Sequence, residues 1–124
     1  MNCTQYIDVP QNNFDKPRKL ILILGGTGFI GSFLFLHLLK KGYVVLLLVR
    51  RSSTFFSKCV HPNLIVYDYD SFFEQPSYFI NKIEVVINLA GYSGGFKRWS
   101  MSVKHKIKES RVTLTKRVVS FFQL

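Results

Sequence analysis

Acidic residues are scarce in this sequence: seven Asp and Glu stand against seventeen Lys and Arg in 124 residues. Between Gly25 and Tyr67 there is no carboxylate at all. Cysteine is scarcer still. Cys3 and Cys59 cannot staple a secreted scaffold, and a chain of this length builds a core without them, which points to a reducing, intracellular and cytoplasmic setting. His37, His61 and His105 lie far apart and no Cys or His pair has ligand spacing, so no metal site is expected. Internal repeats and low-complexity tracts are lacking too. Residues 1–19 have neither the basic start nor the apolar run of a signal peptide, and Asp8 and Asp15 argue against a transit peptide. They read as a flexible N-terminal extension. The uncharged stretch 20–39 is no membrane span, because Gly25, Gly26, Gly28 and Gly31 break it, and the apolar run 43–49 is too short to cross.

What is present is globular. Hydrophobic residues make up 48% and charged residues 19%, which excludes a disordered chain and fits one domain. The net charge of +10 is uneven, since residues 97–117 hold eight of the seventeen basic residues and one of the seven acidic ones. Within that segment Lys104, Lys108 and Arg111 share a helical face opposite an apolar stripe, the pattern of a solvated face.

Short apolar runs alternate with helix-like segments from residue 20 onward. Residues 20–24 read as a buried strand stopped by glycine, and 29–41 as a helix closed by Gly42 in a left-handed conformation. Residues 43–49 and 63–67 read as the second and third strands, with 50–62 irregular between them. A weak helix is expected over 71–82, a fourth strand over 84–90 and a glycine-rich loop over 91–99. A long helix follows from Ser100, with Val103, Ile107, Leu114, Val118 and Phe121 or Phe122 on one stripe. Strands and helices alternating in this way imply a parallel sheet with right-handed crossovers. The expected fold is therefore α/β, a doubly wound parallel-sheet Rossmann fold truncated to about its first four strands, over residues 20–124.

The loop after the first strand carries the chemistry. Gly26-Thr27-Gly28-Phe29-Ile30-Gly31, preceded by Gly25, fits the G-x-G-x-x-G spacing between a strand and a helix. Glycines there permit a tight turn and bring backbone N–H groups against a pyrophosphate at the positive end of the helix. A triphosphate-binding P-loop is excluded, because Gly31-Ser32-Phe33 stands where Gly-Lys-Ser/Thr is required. The second strand ends in Arg50-Arg51 rather than the carboxylate that would hold the adenosine ribose hydroxyls. Two guanidinium groups at that position favour a 2′-phosphate, and so NADP over NAD.

Gly25 to Gly31, together with Val86-Ile87-Asn88-Leu89-Ala90-Gly91, resembles the extended short-chain dehydrogenase/reductase superfamily. Arg98-Trp99 and the run from Ile107 through Ser110-Arg111 to Thr115 resemble its atypical epimerase-family branch, sometimes labelled cell-division-inhibitor-like. The resemblance covers about residues 19–122. It implies an NADP-binding domain in which Gly25, Thr27, Gly28, Phe29, Ile30 and Gly31 form the dinucleotide turn and Arg50 takes the 2′-phosphate. It also implies that Asp68 lies beside the adenine, and that Leu89, Ala90 and Gly91 line the nicotinamide side. Arg98, Trp99 and Arg111 receive no defined role from it.

Catalysis in that superfamily uses a Tyr-x-x-x-Lys pair after the fifth strand, a region that would lie beyond Leu124. Tyr78 and Lys82 have the spacing but precede the fourth strand, so the match reads as coincidence. The expected function is the NADP-binding portion of an epimerase-family oxidoreductase without its catalytic residues or a defined substrate. The alternatives are a non-catalytic nucleotide-binding or regulatory module and, behind it, a basic nucleic-acid-binding domain. No membrane or nucleic-acid partner is expected, and self-association is expected through an uncovered fourth-strand edge.

Overall fold

Leu20–Leu24 contain no side-chain polar atom, and all five residues are buried as strand β1. The computed structural model describes residues 20–50, 61–74, 80–93, 95 and 97–123. The N-terminal extension 1–19 and most of the irregular stretch 50–62 lie outside the described residues. β1 pairs in parallel with β2 (Val44–Val49), placing Leu22 beside Leu46 and Leu24 beside Leu48. Side chains alternate, so each strand buries two faces, as central parallel strands do. Ile21, Ile23, Val45 and Leu47 form one core with Phe35 and Leu39 of helix α1 (Phe29–Lys40). Leu22, Leu24, Leu46 and Leu48 are buried on the opposite face.

Helix α1 stops where glycine was expected to stop it. Gly42 has φ +86°, its N–H bonds the Leu39 carbonyl at 3.0 Å, and the Tyr43 N–H bonds that of Leu38 at 3.1 Å. This is a Schellman cap. The chain re-enters the sheet as β3 (Leu64–Asp68), parallel to β2 with Val49 beside Asp68. The turn before it is held by the Asn63 N–H donating to Nδ1 of His61 at 3.0 Å. Burial holds the His61 pKa below the ordinary histidine value, in keeping with an accepting ring nitrogen.

The helix expected over 71–82 is corrected. Helix α2 runs over Tyr69–Phe73, and Ile80–Lys82 form a turn. Its start is earlier because Asp68 caps it, accepting from the Ser71 N–H at 3.0 Å and from Ser71 Oγ at 2.6 Å. Such a cap stabilises a helix by about 1 kcal/mol. β4 (Ile83–Asn88) pairs in parallel with β1, with a register shift that leaves Glu84 unmatched between Ile83 and Val85.

The strand order is β3-β2-β1-β4, that of a Rossmann-like α/β fold. Among the described residues β4 is an edge strand. It is less buried than β1 and β2, with Val85 at 44% and Val86 at 37% exposure on opposite faces. Residues from Ala90 onward form a second unit. Its long helix α3 (Met101–Phe122) is capped by Ser100 Oγ, which accepts from the Val103 N–H at 3.3 Å. The expected apolar stripe is present, with Val103, Val118 and Phe121 buried and Ile107 and Leu114 half-buried. No helix among the described residues is long and apolar enough to cross a membrane.

Candidate functional site

Parallel strands that end level bring their next residues together. Leu24 pairs with Leu48 and Val49 with Asp68, so the register sets Gly25 beside Val49, and Arg50 beside Tyr69 one step further along the C-terminal edge of the sheet. The order also reverses here, since β2 and β4 flank β1 on opposite sides. Ligands of open α/β sheets bind at such a switch point.

Gly25 takes φ +77°, a backbone state that side chains disfavour, and its carbonyl accepts from the Gly28 N–H at 3.2 Å. Gly28 then caps α1 with no side-chain hydrogen bond. The first N–H groups of the helix lack intrahelical acceptors, so those at Phe29, Ile30 and Gly31 are available to an anion. Thr27, Gly28, Phe29 and Ile30 are all exposed, Phe29 at 84% and edge-on to Phe33 with ring centroids 5.7 Å apart. Gly31 is buried where the helix crosses the turn. A Cβ there would collide with the Gly25 carbonyl oxygen and stand 2.6 Å from Gly26 Cα.

At the other end of this edge, Arg50 is exposed. Arg51 lies outside the described residues. The two carboxylate oxygens of Asp68 accept from Ser71, so the acid expected beside an adenine is engaged in capping α2. The sequence reading missed Tyr69. Burial pushes its phenol above the ordinary tyrosine value, while a hydrogen bond with the Gly25 backbone and the nearby Arg50 charge hold it back. The signal available in the sequence was position alone: Tyr69 follows the third strand as Arg50 follows the second.

Leu89 closes the first unit, its N–H bonding the Leu24 carbonyl at 2.8 Å, whereas Ala90 and Gly91 open the second. The Arg111 guanidinium lies against Gly91, where a Cβ would stand 2.9 Å from its Cζ, a contact that the flexible end of an exposed arginine can relieve. That guanidinium donates to the carbonyls of Tyr92 at 3.4 Å and Ile107 at 3.2 Å. Ser110 Oγ accepts from the Tyr92 N–H at 2.9 Å and donates to the Ile107 carbonyl at 3.0 Å. Ser110 and Arg111 thus latch the loop to the helix. The basic face is threaded with aromatics: Lys97 and Lys106 lie over the Tyr92 ring at 5.4 and 5.7 Å, and Lys104 over Trp99 at 5.5 Å. A loose contact with the Lys97 ammonium is the main reason the Tyr92 phenol, which has no hydrogen-bond partner among the described residues, lies below the ordinary tyrosine value; burial opposes it.

Tyr78 lies outside the described residues. Lys82 precedes β4 and so sits at the N-terminal edge of the sheet, roughly 17 Å along the strand from the glycine turn. No cluster among the described residues has the makings of a metal site.

The NAD dependent epimerase/dehydratase family matches residues 21–123. An epimerase family protein of Staphylococcus saprophyticus is 36% identical over 107 residues, which are 85% of this chain and 33% of that protein. A human epimerase family protein solved with NADPH is 27% identical with a TM-score of 0.54, over 79% of this chain and 30% of that one. A short chain dehydrogenase of Leptospira borgpetersenii solved with bound NAD+ shares the fold at 20% identity and a TM-score of 0.61, over 85% of this chain and 44% of that one. The chain spans about a third of the length of the curated relatives it matches.

Proposed function

The chain belongs to the NAD dependent epimerase/dehydratase family, and from that premise we propose that residues 20–124 are the NADP-binding portion of an epimerase-family oxidoreductase. The glycine turn from Gly25 to Gly31 would receive the pyrophosphate, with Arg50 and Arg51 on the 2′-phosphate, Asp68 near the adenine and Leu89 to Gly91 toward the nicotinamide. The dinucleotide supplies hydride chemistry; these residues bind and orient it. Proton transfer is assigned to residues outside this segment, since Lys82 stands at the wrong edge of the sheet.

One observation carries the reading: a helix N-terminus without a side-chain cap and Arg50 follow the C-terminal ends of two adjacent parallel strands, with no carboxylate between Gly25 and Tyr67. The human relative solved with NADPH supports it. Calorimetry on the 124-residue chain should give tighter binding of NADPH than of NADH. Tighter NADH binding, or no heat with either, would overturn the assignment.

The same reading makes β4 a place of self-association. Its position at the sheet edge among the described residues and the exposed Val85 and Val86 fit a second copy paired strand to strand. Sedimentation should therefore show species heavier than the 14.4 kDa chain, and a monomer throughout would count against this.

A further inference from the structure

Two backbone N–H groups tie down the chain where β4 runs out. The Leu89 N–H bonds the Leu24 carbonyl at 2.8 Å, and the Tyr92 N–H bonds Ser110 Oγ at 2.9 Å. Ala90 and Gly91 lie between these two ties. The second tie comes from a side chain 18 residues further along, within helix α3. Ser110 Oγ donates to the Ile107 carbonyl at 3.0 Å, one turn back, which leaves its oxygen to accept from Tyr92. Arg111 adds a bond to the Tyr92 carbonyl, but at 3.4 Å and from an exposed side chain it is the weaker tie. Ser110 therefore decides how firmly this loop is held.

We propose that Ser110 is a positioning residue, which holds the backbone at Gly91 and Tyr92 so that the nicotinamide end of the cofactor meets an ordered wall. This rests on the dinucleotide reading given above, in which Leu89, Ala90 and Gly91 lie toward the nicotinamide. A loop with no tie at Tyr92 must lose backbone freedom when the ligand arrives, and that loss weakens binding. A loop already held has lost it on folding. The Ser110 hydroxyl hydrogen-bonds only Tyr92 and Ile107 among the described residues, so its effect belongs to one end of the ligand. Coupling between two sites is reciprocal, so a bound nicotinamide must in turn tighten the bond at Tyr92.

Calorimetry on the full chain with NADPH and with adenosine 2′,5′-bisphosphate, which lacks the nicotinamide half, tests this. In Ser110→Ala NADPH binding should weaken about three- to tenfold, while the bisphosphate binds as before. Ser110→Thr keeps a hydroxyl able to make the same two bonds, and should bind NADPH as the wild type does. Equal losses for both ligands would mean that Ser110 only supports the fold. No loss, or a threonine variant as weak as the alanine one, would remove the hydroxyl from the account; each of these results overturns the proposal. A wild type that binds both ligands alike would instead strike the nicotinamide assignment of Leu89 to Gly91, before any variant is compared. Should Ser110→Ala not fold, the wild type decides by amide hydrogen exchange. The Tyr92 N–H should exchange about three- to tenfold more slowly with NADPH and hardly change with the bisphosphate. Equal change, or none, would refute the proposal.

Discussion

Gly31→Ala is expected to abolish dinucleotide binding, and one methyl group is enough to do it. The added Cβ would run into the Gly25 carbonyl oxygen and lie 2.6 Å from Gly26 Cα, backbone atoms that cannot rotate away. Ordinary carbon contacts need about 3.5–4.0 Å, so helix and turn must separate by roughly 1 Å. A phosphate hydrogen bond lengthened from about 2.9 to 3.9 Å is no longer made. Losing two such charge-assisted bonds costs roughly 3–6 kcal/mol, a hundredfold or more in affinity. The fold should also lose about 1–3 kcal/mol through overpacking. Gly42→Ala separates the two effects. Its φ of +86° makes any side chain cost about 1–2 kcal/mol, yet nothing lies within 4 Å and it stands at the far end of α1. Both variants should melt earlier than the wild type, and only Gly31→Ala should fail to bind in calorimetry. Wild-type affinity in Gly31→Ala would mean that the helix N-terminus does not hold the ligand.

Legibility tracked how locally each feature is determined. β1, α1 and β2 were readable because aliphatic runs bounded by glycine leave few alternatives, and Gly42 marked the end of α1 through a conformation that only the backbone imposes. The strand order followed from the alternation of elements. Helix α2 was misplaced because its start depends on Asp68 turning back to Ser71, a choice between cap and strand end that hydrophobic spacing does not encode. The glycine turn was legible for the same reason as β1. The place of Tyr69 beside Arg50 was not, because it arises from the register of β3 on β2, a pairing between residues far apart in the chain. Gly91 carried a further lesson. The guanidinium beside it, Arg111, holds the Tyr92 and Ile107 carbonyls within the second unit, a role that sequence spacing did not supply.

Arg50→Ala should weaken NADPH binding by about ten- to a hundredfold and leave NADH nearly untouched. Arg50 stands just past β2, level with Tyr69, and is exposed to an incoming phosphate. A hydrogen bond to a charged group is worth about 1.5–3 kcal/mol, and each ~1.4 kcal/mol is tenfold in affinity. Because the side chain is exposed, salt should screen part of this, and the difference between the cofactors should narrow as ionic strength rises. Arg50→Lys should recover only part of the loss, since an ammonium cannot grip the phosphate with a bidentate fork. Arg51 follows directly in sequence and can share the phosphate, which would place the single variant at the lower end of the range. The ratio of the two affinities is therefore the sounder observable. Equal losses for NADPH and NADH would mean that Arg50 supports the turn rather than reading the ligand. A ratio that also stays flat with salt would remove charge from the account of specificity, leaving shape at the base end to explain any preference that remained.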